Sequence, residues 1–306
     1  STLFPYTTLF RSVEGAVKSS KTLRPSVNGT SDNYITIKGA GGATFSGENI
    51  TENHNKILTL ENCSYLKIEG IAFKDCTKTK NGGGGICIYP PSHHIIISNC
   101  TFSNLKTTEP TNHGTANGII VYGNSSGQSI NNIFISGNTF TKMETGWGEC
   151  ITVTANTEYV NIVSNTINDN GNIGIDVGGN YGYCKDASKD FARYIYIYNN
   201  TVKNCISPNA AAASIYCDGG QHIVIKGNKI SGGQTGFSTG AEQVPPRESY
   251  STGDILIEGN ETPGYDVYQS KMCMNKNKEG KYSLYSSAVH IIIFSAIFPK
   301  ISIQYS

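Results

Sequence analysis

Four acidic residues, Glu149, Asp176, Asp218 and Glu242, lie in or beside short segments of one kind: CITVTA from Cys150, GIDVGG from Gly174, SIYCDG from Ser214 and GFSTGA from Gly236. Such segments alternate in the manner of a strand with one buried face. With Ile119/Val121, Ile151/Val153, Ile175/Val177 and Ile215/Cys217 turned inward, the outward positions are Ile120/Tyr122, Thr152/Thr154, Asp176/Gly178, Tyr216/Asp218 and Ser238/Gly240. An exposed strip of tyrosine, threonine and aspartate suits sugar, because aromatic faces stack on rings while hydroxyls and carboxylates hold sugar hydroxyls. Tyr122, Thr152, Thr154, Tyr216 and Glu242 are accordingly expected to bind substrate.

If these strands stack in register, Asp218 lies one layer above Asp176 and two residues further along. With layers ~4.8 Å apart and two strand residues spanning ~6.6 Å, the two backbone positions are on the order of 8 Å apart. Carboxyls separated by roughly 6.5–9.5 Å leave room for a water between an acid and a base, the inverting geometry of glycoside hydrolysis. Asp176 and Asp218 are therefore the catalytic candidates, and Glu149 and Glu242 continue the diagonal at strand edges. Asp218, followed by Gly219 and Gly220, also fits a turn in which its carboxylate caps backbone N–H groups. Asp176 sits mid-strand, where aspartate is disfavoured on structural grounds alone.

The stretch Gly182 to Arg193, GYCKDASKDFAR, follows the Asp176 strand and could bring Lys185, Lys189 and Arg193 towards the same face. Removing the proton α to a uronate carboxylate needs a base and nearby positive charge. A solvated loop of alternating charge is the other reading. His93, His94 and His222 stand at strand starts and read as structural or surface residues.

What must position these side chains is a repeat. ARYIYIYNNTVKNC from Ala192 reads as a strand, an Asn-Asn corner and a second strand; the pattern recurs from Tyr65, His94, Asn132, Val160, His222 and Asp254. Aligned on the corners, Ile71, Cys100, Asn138, Asn165, Asn200, Asn228 and Asn260 are equivalent, at intervals of 29, 38, 27, 35, 28 and 32 residues. A period in the high twenties, stretched by loops, is one coil of a strand solenoid. The GIxV-type strand between corners makes three short strands per coil, and the Asn corners are expected to stack as hydrogen-bonded ladders. The glycine-rich loop Lys78 to Gly85 and the loop Thr107 to Asn117, which carries His113, both precede strands of that third kind.

This arrangement resembles the right-handed parallel β-helix repeat family, many of whose members are secreted polysaccharide lyases and hydrolases. The resemblance spans roughly Tyr34 to Asn260 and implies an all-β solenoid. It further implies an extracellular, secreted or cell-surface enzyme acting on polysaccharide, as a glycoside hydrolase or a pectate-lyase-like protein. A non-catalytic carbohydrate-binding or surface-structural β-helix is the alternative. For a lyase, the resemblance implies a basic residue as base, here Arg193 or Lys189, with calcium held by Glu149, Asp176 and Asp218; for a hydrolase it implies no cofactor.

At 306 residues, with 34 Gly, one Trp and 15% charged residues, the chain suits one elongated domain with its core spread along an axis. A net charge of +1 gives no sign of a nucleic-acid surface, and no apolar run reaches membrane-spanning length. A monomer is expected. The nine cysteines, odd in number and scattered singly, read as small core residues, with the redox compartment left open. Thr2 to Ser12, TLFPYTTLFRS, looks like a translated sequencing adapter, so 1–12 is expected to be a leader foreign to the fold and any targeting signal to be unreadable. Residues 13–33 are expected to be irregular, 34–263 to form the β-helix, and 264–306 to be a cap or an out-of-frame tail.

Overall fold

The computed structural model describes residues 12–51, 56–77, 79–210, 212–241 and 252–263, and the backbone alone at 10–11, 275–276, 282–283 and 289–292. Short strands pair in parallel with the strand one coil before and one coil after, forming three faces. The first face runs from the start of Ile35–Ser46 through Ser64–Glu69, His93–Ser98, Ile130–Ser136, Thr157–Val163, Arg193–Tyr198, Gln221–Lys226 and Gly253–Glu258. The second runs from the end of Ile35–Ser46 through Ala72–Cys76, Thr101–Leu105, Thr139–Met143, Thr166–Asn170, Thr201–Cys205 and Lys229–Ser231. Lys56–Glu61, Gly84–Tyr89, Ile119–Gly123, Ile151–Ala155, Ile175–Gly178, Ala213–Asp218 and Thr235–Gly240 make the third. This is the parallel β-helix of three strands per coil that the repeat predicts.

The core follows from strand parity. On the second face Phe45, Phe73, Phe102 and Phe140 occupy one register column, and the last three rings stack at centroid distances of 5.1 and 4.6 Å. On the third face Ile119/Val121, Ile151/Val153, Ile175/Val177 and Ile215/Cys217 are all fully buried, as the alternation requires. All eight described cysteines are buried, and burial pushes the thiols of Cys150 and Cys205 up. They serve as small core residues.

The first two faces are joined by the corner. Asn165 Oδ1 accepts from both the backbone and the side-chain amide of Asn138, Asn200 does the same for Asn165, Asn228 for Asn200 and Asn260 for Asn228, at 2.8 to 3.0 Å. The residue before each corner turns left-handed: glycine at Gly137 (φ 64°) and Gly227 (φ 67°) and asparagine at Asn99 and Asn199 favour this, while Ser164 (φ 55°) adopts it before Asn165. Asn200 Nδ2 also donates to Ile162 O at 2.9 Å. Replacing Asn200 by Ala strands several of these buried groups, each costing about 1–3 kcal/mol. Asn200→Ala is expected to lower the unfolding free energy by at least about 2 kcal/mol in urea titration; a change below about 0.5 kcal/mol would show that the ladder adds little to stability.

Both ends of the coil stack differ from the expected boundaries. Phe10–Lys18 pairs in parallel with Ile35–Ser46, so the solenoid pattern begins inside the stretch expected to be leader and irregular segment. Val289–Ile292 pairs with Gly253–Glu258 and extends the first face within the expected cap or tail. Backbone pairing tolerates a weak side-chain pattern at a terminal coil, because only one neighbour has to be matched there. Among the described residues no helix is long and apolar enough to cross a membrane.

Candidate functional site

The third face carries the outward side chains singled out by sequence. Register sets Ile120, Thr152, Asp176, Tyr216 and Ser238 side by side in one column. Tyr122, Thr154 and Gly178 form a second column, and Asp218 pairs with Gly240 at the same level two residues on. Asp218 thus stands one coil above Asp176 and two residues further along, an offset that sets the two Cα atoms on the order of 8 Å apart.

The strip is not open, contrary to the sequence expectation. Thr152 and Thr154 are each 5% exposed, Asp176 is 7% and Asp218 is 3%. They are covered by the insertion after Ile175–Gly178, which folds back as a canopy. Fully buried Asp190 staples it, accepting from Gly182 N at 2.6 Å and Cys184 N at 2.9 Å. Cys184 Sγ donates to Gly123 O at 3.1 Å, and Asp186 N donates to Ser126 Oγ at 2.9 Å, docking the canopy onto the loop after Ile119–Gly123. Tyr181 donates its hydroxyl to Asp218 Oδ2. The Tyr183 ring stacks on Tyr181 at 5.6 Å and meets Tyr122 edge-on at 4.9 Å.

Beneath the canopy lies a cleft of about 550 Å³ lined by Glu149, Thr152, Thr154, Asp176, Asp218, Tyr122, Tyr181, Tyr183, Tyr216 and Trp147, among others. Burial pushes the Tyr183 hydroxyl above its ordinary pKa, and the carboxylates of Glu149, Asp176, Asp190 and Asp218 add to the shift. Tyr183 therefore remains a neutral hydrogen-bond donor at working pH. Glu149 Oε2 accepts from Thr152 Oγ1 at 2.8 Å, which turns this strand-edge acid into the cleft. Thr154 Oγ1, at the cleft wall, is buried without a hydrogen-bond partner in the protein. Trp147, the chain's single tryptophan, is 43% exposed and stacks on His113 at 5.3 Å, presenting an aromatic platform at the rim.

Glu149, Asp176, Asp218, Tyr122, Thr152, Thr154 and Tyr216 are thus brought together. Glu242 lies outside the described residues. Arg193 and Lys189 are placed elsewhere: Arg193 pairs with Glu158 at 3.0 Å and donates to Asn156 Oδ1 at 3.2 Å, and Lys189 Nζ donates to Ser126 O at 2.8 Å. Each is occupied outside the cleft lining, Arg193 on the first face and Lys189 in holding the canopy down. Trp147, Tyr181, Tyr183 and Asn117 escaped the sequence reading because they sit in loops without repeat pattern; the chain's lone Trp and the closely spaced Tyr181 and Tyr183 were the available signals.

A lyase of the expected kind would hold calcium through Glu149, Asp176 and Asp218. Among the described residues no three of His, Cys, Asp and Glu are gathered closely enough to hold a metal ion. These acids do not make a cation cage.

Comparison with known proteins agrees with this architecture. A family model described as "Right handed beta helix region" matches residues 33–244. A Bacillus subtilis (strain 168) protein named "Uncharacterized protein YwoF" is 29% identical over 236 residues, covering 72% of this chain and 49% of that protein, so the chain spans about half the length of the curated relative it matches. The endo-xylogalacturonan hydrolase from Aspergillus tubingensis is similar at TM-score 0.50 and 12% identity, over 84% of this chain and 78% of that one. The pectate lyase Bsp165PelA from Bacillus sp. N165, in complex with trigalacturonate, is similar at TM-score 0.45 and 14% identity, over 83% of this chain and 81% of that one. At 12% identity the likeness to the Aspergillus hydrolase is one of fold alone.

Proposed function

We propose that this chain, which belongs to the right-handed β-helix family, is a secreted or cell-surface polysaccharide hydrolase that cleaves with inversion beneath the tyrosine canopy. The observation that carries the reading is the gathering of Glu149, Asp176 and Asp218 in one cleft whose lining, among the described residues, contains neither Lys nor Arg. Proton abstraction next to a uronate carboxylate builds negative charge, which such a cleft would oppose; an oxocarbenium-like transition state builds positive charge, which carboxylates stabilise. The bond cleaved is therefore next to an uncharged sugar.

In this reading Asp218, already the acceptor of the Tyr181 hydrogen bond, takes the proton of the attacking water. Asp176 gives a proton to the glycosidic oxygen as its bond to the anomeric carbon breaks and the water oxygen bonds to that carbon. Glu149, fixed by Thr152, adds negative charge near the developing cation. Tyr183 and Thr154 donate to sugar hydroxyls, and Trp147 stacks on a ring at the rim. Screening the purified chain against a polysaccharide panel, reading both new reducing ends and the absorbance of unsaturated uronides, tests this. Hydrolysis gives reducing ends alone; both signals would make the protein a lyase, and binding without either would make it a carbohydrate-binding β-helix.

A further inference from the structure

The groove on the third face does not stop at the acidic cleft. Its outward columns continue towards the amino terminus, from Asp176 through Thr152, Ile120 and Cys87 to Thr59, and from Tyr89 to Glu61. Over that end opens a second cavity, of about 670 Å³, lined by Arg24, Lys56, Glu61, Tyr89, Asn124 and Gln128. The Tyr89 and Tyr122 rings, with centroids 5.8 Å apart, stand between the two cavities. A hydrogen-bond chain also joins them. Lys56 Nζ donates to Asn117 Oδ1 at 3.2 Å, Asn117 Nδ2 to Thr152 Oγ1 at 3.0 Å, and Thr152 Oγ1 to Glu149 Oε2 at 2.8 Å.

Charge reverses along this path. Three carboxylates line the first cavity without a described cation, whereas Arg24 and Lys56 face the single acid Glu61 in the second. Thr59 and Asp176 are four coils apart, or ~19 Å at ~4.8 Å per coil, a span of several sugar units. We propose that the second cavity is a distal subsite that recognises a carboxylate-bearing sugar on the same polysaccharide, several units from the bond cleaved. The Arg24 guanidinium offers the paired N–H groups that match a carboxylate. Lys56, held in place by Asn117 Oδ1 and by Gly82 O at 3.4 Å, stands behind it as a further N–H donor; burial lowers the pKa of its amine, so Arg24 carries the charge recognition. Asn124 and Gln128 offer amides to ring hydroxyls, and Tyr89 offers a stacking face. The substrate class this implies is a mixed polysaccharide with an uncharged sugar at the cleaved bond and uronic acid units along the chain.

The inference rests on the groove being a glycan site, and a matched pair of probes tests it separately from the chemistry. A galacturonic acid trimer and its fully methyl-esterified form share size and stacking faces but differ in charge. Calorimetric titration of the full chain at low salt is expected to favour the free acid by about five-fold or more, the preference shrinking as salt rises. In Arg24→Gln, a change at an exposed residue, the two affinities should fall within about two-fold of each other. In Gln128→Glu, likewise exposed, the ester should become the better ligand; this second variant decides the matter if Arg24→Gln melts early. Equal wild-type affinities, no binding of either trimer at millimolar concentration, or a preference that survives in both variants would overturn the subsite. If hydrolysis is found and the probes bind equally, only the subsite fails. If the preference holds and no polysaccharide is cleaved, only the hydrolytic reading fails.

Discussion

Asp176→Asn and Asp218→Asn are each expected to lower turnover of the polysaccharide the wild type cleaves by about 10²–10⁴-fold, the usual contribution of a positioned general acid or base. The amide keeps the shape of the carboxyl but cannot give or take the proton. Asn at 218 still offers an oxygen to the Tyr181 hydroxyl, so the canopy should stay closed and the melting temperature should hold to within about 2 °C. Because the two residues act in one step from opposite sides of the bond, the double variant should be scarcely slower than the worse single variant. Full activity in both single variants would move the chemistry elsewhere on the solenoid.

Phe102→Ala is expected to be the most damaging change to stability, at about 3–5 kcal/mol. Phe102 is fully buried between Phe73 and Phe140, so truncation empties a slot that two flanking coils shape together. Gly85 is matched to the same ring: a Cβ there would come within 2.7 Å of Phe102 Cδ1, so the neighbouring strand cannot move in to fill the slot without losing its pairing to Gly118. Denaturant titration checks the value, with the slope compared to wild type, since a weakened coil in a repeat array can unfold apart from its neighbours. A loss under about 1 kcal/mol would mean that the core collapses around the gap.

The coil itself was legible because a solenoid repeats its local rules: alternate apolar residues, a left-handed corner residue and a stacked asparagine recur at Asn138, Asn165, Asn200 and Asn228, so each copy supports the others. The Asp176 and Asp218 offset was legible for the same reason, as parity and register are properties of the repeat. What was not legible lies in the insertions. The canopy takes its shape from single tertiary anchors, Asp190 beneath Gly182 and Cys184 against Gly123, which no period announces. It turns an expected open strip into a covered cleft. Arg193 and Lys189 show the same limit in reverse: sequence nearness suggested the site, but Arg193 opens a first-face strand and meets Glu158 in the adjoining coil, while Lys189 is spent on Ser126. Lys56 carries no sequence signal because its partners, Gly82 and Asn117, lie in later coils.

If Asp176 and Asp218 act as acid and base across an intervening water, the bond is cleaved with inversion. The most direct measurement is the anomeric configuration of the first reducing sugar released, followed by proton NMR before mutarotation. The account predicts a product inverted relative to the bond cleaved; a retained configuration would contradict it, since that requires a carboxylate close enough to attack the anomeric carbon itself.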